Sequence, residues 1–181
     1  MKVGLITLIT AMACASANAY TYETYVDDMR GFSVAHPSTW PRSIRGESVC
    51  FESPQGATVS MRVEPLPDPG NNITSIYQIP DAVTEMLKAV KMLPGSRDVS
   101  NGKTQLSGGD AYWIKYRMQY ESLGKIVYIY TYQVVTLNFR GLFYCTYMAA
   151  GQTDQQAQTV YNGVWDEALN MMRTMIVHKY K

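Results

Sequence analysis

Three segments of alternating apolar and polar residues, 111–120, 126–137 and 142–149, follow one another with only short connections. This run constrains the fold more than any other feature of the chain. A period of two sends successive side chains to opposite faces of a strand, and strands joined by short turns pair antiparallel. The run therefore predicts a three-stranded meander, turning at Gly124 and at 138–141. Tyr112, Ile114, Tyr116, Met118 and Tyr120 share one face of the first strand, and Tyr128, Tyr130, Tyr132 and Val134 share a stripe on the second. Apolar residues stand on both sides, so both faces of the sheet need cover.

Upstream, Ser48–Ser53 and Ala57–Glu64 read as a hairpin about Pro54-Gln55-Gly56. Its second strand points Ala57, Val59, Met61 and Val63 inward and Thr58, Ser60, Arg62 and Glu64 outward. Asp98–Leu106 reads as a weaker strand, bent at Asn101-Gly102. In Asp28–Trp40, Phe32, Val34 and His36 share the face of an extended segment that nucleates a sheet. Pro37 ends its ladder for want of an N–H, and Trp40 folds back as a lid. The period changes twice. Ile76, Pro80, Val83, Met86, Leu87, Val90 and Leu93 recur at helical spacing up to Pro94-Gly95. Ala157, Val160, Tyr161, Val164, Trp165, Ala168, Met171, Met172 and Met175 do so again behind a Thr153/Gln156 capping box, with Gly163 read as a point of close approach to the sheet. The order strands, helix, meander, helix predicts an α+β fold: a single antiparallel sheet flanked by helices, in one domain over residues 20–181.

The N-terminus carries an address. Lys2, the apolar run Val3–Ala13 and the small residues Ala17-Asn18-Ala19 have the three-part form of a secretory signal, predicting a signal peptide over 1–19 and a mature chain from Tyr20. The run falls short of the roughly 20 residues that span a bilayer. The expected location is periplasmic or secreted; the alternative is a lipoprotein anchored at Cys14. Loss of Lys2 brings the 16 basic side chains level with the 15 acidic ones, a balance that argues against nucleic acid as a partner. No later segment is apolar enough for a transmembrane span. Cys50 and Cys145 survive maturation as a candidate disulfide, worth about 4 kcal/mol in the chain-entropy model. The other reading is two separately buried thiols.

Gly31-Phe32-Ser33-Val34, leading to Pro37 and Trp40, resembles the opening strand of the PsbP-like superfamily. The Ser48–Glu64 hairpin, the middle helix, the tyrosine-rich meander and the closing helix follow in that family's order. Its members include the photosystem extrinsic protein PsbP, a yeast nuclear factor that binds the GTPase Ran, and bacterial DcrB-like and DUF1795 proteins. The resemblance implies an α/β/α sandwich and non-enzymatic roles: assembly factor, chaperone or binding module. A secreted or periplasmic bacterial member fits best, since the chain has no plant transit segment and the cytoplasmic DUF1795 chaperones have no signal peptide.

Reactive chemistry is sparse. His36 and His178 stand at opposite ends of the chain without a ligand spacing, so neither a metal nor a cofactor is assigned. Asp27-Asp28 and Asp166-Glu167 are sequence neighbours whose side chains diverge, and they read as solvated. Gly108-Gly109-Asp110 is a turn without a phosphate-binding context, and Ser33, Ser38 and Ser60 lack a nucleophile motif. No catalytic residue is assigned. Tyrosine is the one enriched chemistry. Tyr112, Tyr116, Tyr120, Tyr128, Tyr130 and Tyr132 form a candidate binding face, unless they simply pack as good strand formers. Arg42 and Arg45 mark a candidate basic binding loop, and Pro65–Asn72 a second loop. The Met171, Met172, Met175 stripe reads as a core seam. The expectation is a non-catalytic binding or assembly module whose partner is another protein of the cell envelope. An envelope immunity protein against a secreted toxin is the alternative, and a hydrolase using His36 a remoter one.

Overall fold

In the computed structural model of the protein, residues 21–65, 79–138 and 141–178 are described. The expected signal peptide, Cys14, the 66–72 part of the second candidate loop, Ile76 and the turn residues 139–140 lie outside them. The chain runs β1 (Tyr22–Asp27), β2 (Phe32–Pro37), β3 (Arg42–Arg45), β4 (Ser48–Glu52), β5 (Ala57–Pro65), α1 (Ile79–Met92), β6 (Arg97–Leu106), β7 (Gly109–Ser122), β8 (Lys125–Asn138), β9 (Gly141–Gly151), α2 (Asp154–Gly163), α3 (Trp165–Thr174) and β10 (Ile176–Val177).

The expected hairpin and meander form as read. They join into one seven-stranded sheet of order β3-β4-β5-β9-β8-β7-β6, because β5 pairs along its whole length with β9. The fold is α+β, but the strands do not make a single sheet. Phe32–Pro37 pairs with β1 and β10 in a separate three-stranded sheet. That small sheet packs on one face of the large one, with the Phe32 and Phe143 rings 5.4 Å apart. Asn138 secures the join: buried at the end of β8, it donates to the Arg30 and Gly31 carbonyls at 3.0 and 2.9 Å. The opening strand thus roofs the core rather than nucleating the main layer.

The principal core lies between the large sheet, the small sheet and α2/α3. Phe32, Trp40, Phe51, Met61, Phe143, Tyr147, Met171 and Met175 are fully buried there. This confirms the methionine seam and the inward set Ala57, Val59 and Met61; Val63 is only half-buried. On the opposite face, α1 seats Val83 against Ile114, with Met86, Leu87, Tyr112 and Tyr116 packed around them. Both faces are covered, as apolar residues on both sides require.

The closing helix departs from its expected form. Thr153 caps α2 as read, its Oγ1 accepting from the Gln156 N–H at 3.2 Å, while Gln156 reaches back to the Gln152 N–H. The helix breaks at Gly163-Val164, where Val164 leaves helical geometry (φ −119°, ψ 1°). A Cβ on Gly163 would meet nothing within 4 Å, so this glycine marks the break and not a close approach. Gly151 makes the close approach instead: a Cβ there would lie 2.5 Å from the Ala157 nitrogen. In β6 the irregularity falls between Arg97 and Ser100, with Asp98 at φ +55°, and not at Asn101-Gly102. Gly102 has another use: it leaves room for the Trp113 indole, which a Cβ would crowd to 2.8 Å.

Candidate functional site

The six tyrosines do not form one face. Register pairs Tyr116 with Thr131 and Arg117 with Tyr130, so the β7 tyrosines point to the α1 side and the β8 tyrosines to the α2/α3 side. Tyr130 is buried; Tyr112, Tyr116, Tyr128 and Tyr132 are half-buried. Beneath α2 and α3 the rings form a continuous aromatic seam. Trp113 stacks on Tyr132 at 5.8 Å, and Tyr132 meets Trp165 edge-on at 5.1 Å. Trp165 stacks on Tyr161 at 5.5 Å, and Tyr161 lies 4.8 Å from Tyr147. The Tyr147 hydroxyl donates to the Tyr161 carbonyl at 2.7 Å. Burial raises the phenol pKa of Tyr116, Tyr132, Tyr147 and Tyr161 above the ordinary value. These tyrosines hold layers together. Of the six candidate tyrosines, Tyr120 alone is exposed, at 42%.

The basic loop is an edge strand. Register pairs Arg45 with Ser48 in β4, and the Arg45 guanidinium binds the Glu52 carboxylate; Arg42 lies over the Tyr25 ring at 4.7 Å. Both arginines have partners within the fold. The cysteines are free and buried, and no disulfide joins them. Cys50 pairs with Ser60 while Cys145 pairs with Met61, so the two side chains leave opposite faces of the sheet with β5 between their strands. Strands one removed stand about 10 Å apart, beyond disulfide reach. Burial pushes the Cys145 thiol up to about 12, and raises that of Cys50 against a smaller opposing pull from Arg45.

His36 is 8% exposed; its ring packs on Phe51 at 4.4 Å, and Nδ1 donates to the Pro37 carbonyl at 3.0 Å. Glu23 stands opposite it across β1–β2. His178 is exposed at the C-terminal end. Among the described residues no three metal-ligating side chains cluster.

Two ionic features escaped the sequence. Asp27 is buried, not solvated. Its carboxylate accepts from the Arg30 N–H at 2.8 Å, the Arg30 guanidinium at 2.9 Å and the Tyr25 hydroxyl at 3.0 Å. Burial alone would raise its pKa, but these hydrogen bonds prevail and hold it below the usual carboxylate value. At the start of α2, Asp154 gathers Arg97 at 3.1 Å, Arg117 at 3.2 Å and the Tyr130 hydroxyl at 3.3 Å, pinning the helix to β6–β8. The Asp154 cluster could not be read from spacing, because Arg97, Arg117 and Tyr130 meet it only once distant strands are paired. Asp27, by contrast, finds Tyr25 and Arg30 within three residues, and only its burial was hidden.

The surface feature that stands out is the β7–β8 ribbon. β6 leaves β7 at Arg117 and β9 leaves β8 at Tyr128, so residues 118–127 extend past the neighbouring strands. The turn is Leu123-Gly124, with φ +51° and +73°, a type I′ geometry that ordinarily takes Asn-Gly. Leu123 is 100% exposed, and Ile126 at 50% and Tyr120 at 42% are exposed on opposite faces of the ribbon. A bulky apolar residue stands at the tip in a left-handed conformation, with no packing in the fold to compensate for it.

No protein-family model matches the chain, and no curated protein matches it in sequence. Solved structures do. The cyanobacterial PsbP (CyanoP) from Synechocystis sp. PCC 6803 superposes with a TM-score of 0.58 at 15% identity, covering 92% of this chain and 98% of that one. A protein from Bacteroides thetaiotaomicron gives 0.52 at 14% identity over 86% of this chain, which spans 48% of that protein's length. LpqN of Mycobacterium tuberculosis, described as involved in cell envelope biogenesis, superposes more loosely, at 0.46 and 16% identity over 89% of this chain and 92% of its own. The seven-stranded sheet with helices on both faces, and its superposition on CyanoP, give the chain's place: it has the PsbP-like fold.

Proposed function

We propose that this protein is an exported, non-catalytic binding or assembly module that engages another protein of the cell envelope through the tip of the β7–β8 ribbon. The signal-like N-terminus supports export, and the PsbP-like fold is compatible with a module of this kind. The observation that carries the reading is Leu123, fully exposed in a left-handed turn. Such a residue costs the free protein stability and returns it only when a partner covers it. Glu121 and Lys125 flank the tip with opposite charge, which suits a protein surface better than an anionic lipid one. Of the two loops open to the immunity-protein alternative, Arg42–Gly46 is largely the β3 edge strand, and Pro65–Asn72 lies beyond Pro65 outside the described residues.

The test is a photo-crosslinking amino acid at position 123, with a control at the exposed Lys88 on α1, in living cells. The expected result is a discrete protein adduct at 123 that untagged wild-type protein competes away and Leu123→Asn protein does not. The same pattern at both positions, or no adduct at 123, would refute the reading.

A further inference from the structure

A groove of about 430 Å³ opens between α3 and the β6 side of the large sheet. Leu106, Val134 and Met172, buried residues, form its floor, and half-buried Tyr132 and Leu169 its walls. Thr104 and Gln105 stand on the strand side and exposed Arg173 at the rim. Its origin lies in the packing: α3 leans on β2 of the small sheet, and its other flank stands off β6. Tyr132 in its wall contacts the Trp113 and Trp165 rings.

The lining has a definite chemistry. Its walls are aliphatic and aromatic, and it contains no acidic residue. Arg173 forms no ion pair with a carboxylate among the described residues, unlike Arg30, Arg45, Arg62, Arg97 and Arg117. Its size falls in the range of small-molecule sites, in which apolar walls supply affinity and one or two polar groups fix orientation. An apolar body with a single acidic end matches both parts. An added peptide strand matches less well, because β6 is bulged after Arg97 and carries Asp98 and Lys103, features that discourage pairing at an edge.

We propose that this groove binds a single-chain amphiphile with an anionic head, the chain lying on Leu106, Val134, Leu169 and Met172 and the head meeting Arg173. Thr104, paired with Ala111 on the core side of the sheet, adds a hydroxyl to the lining. The site is separate from the ribbon tip, so either reading can fail without the other.

The test is a titration of the full chain with decanoate below its micellar concentration, followed by tryptophan fluorescence, since Trp113 and Trp165 both contact Tyr132. Calorimetry gives the stoichiometry. The expected result is saturable one-to-one binding that decyltrimethylammonium does not reproduce. Arg173→Gln, a change on the exposed surface, should weaken decanoate about tenfold. Thr104→Phe should fill the groove and abolish binding while leaving the circular dichroism spectrum unchanged. The proposal is overturned by non-saturable binding, by equal affinity for the cationic amphiphile, or by an Arg173→Gln affinity equal to wild type. Displacement of decanoate by an acidic extended peptide that binds more tightly would overturn it in favour of strand addition at β6.

Discussion

Replacing Leu123 by asparagine should make the protein more stable and less able to engage its partner. The left-handed region costs a leucine about 1–2 kcal/mol, whereas asparagine tolerates it by bonding to its own backbone. Being fully exposed, the leucine side chain makes no contact whose loss would offset that gain. The strain is confined to the turn, because Ser122 and Lys125 on either side keep a regular antiparallel register. The expected gain is therefore about 1 kcal/mol, or about 2–4 °C in the melting midpoint for a domain of this size. Urea unfolding followed by circular dichroism should show a higher midpoint with an unchanged slope, meaning that only stability has moved. Leu123→Gly should gain less, because glycine adds entropy to the unfolded chain. Neither variant, added without a crosslinker, should compete away the adduct formed at position 123 as wild-type protein does. A lower midpoint for Leu123→Asn would refute the reasoning, since the leucine would then be supporting the fold.

Two further outcomes follow from buried polar groups. Tyr147→Phe should cost about 1–2 kcal/mol by orphaning the Tyr161 carbonyl, while Tyr161→Phe should be neutral or stabilising, since the buried Tyr161 hydroxyl meets no hydrogen-bond partner; chemical denaturation of the pair checks the contrast. The carboxylate of Asp27 is more acidic in the folded chain than in the unfolded one. Its contribution is therefore complete above the unfolded value near 4 and is lost as pH falls through the lower folded value. Stability measured from pH 7 to pH 2 should fall less steeply below pH 4 in Asp27→Asn than in wild type, with the variant already weaker at pH 7; parallel curves would contradict the assignment.

Much of the fold was legible because alternation and helical spacing are local. The β4–β5 hairpin turns at Pro54-Gln55-Gly56, the meander runs where its period of two ran, and α1 ends just ahead of Pro94-Gly95. The candidate site was far less legible. Apolar residues lined both sides of β7 and β8, so spacing alone could not say which tyrosines would be covered, and register divided them between the two faces. Leu123 looked like any residue before a glycine. Its exposure follows from β6 and β9 stopping short of the ribbon, which the sequence of the ribbon itself does not encode.

By itself the sequence determined the hairpin, the meander, the helical segments and their order, because side-chain period and turn residues act within a few positions. The strands β1, β3 and β10 and the break at Gly163-Val164 were not legible in it. Tertiary structure alone decided that β5 lies beside β9, that Phe32–Pro37 leaves the main layer for a small sheet of its own, and that Cys50 and Cys145 face apart. Those outcomes rest on pairings between segments far apart in the chain. Their loop-closure entropy is recovered only when the whole core closes, so no local window of residues carries the information.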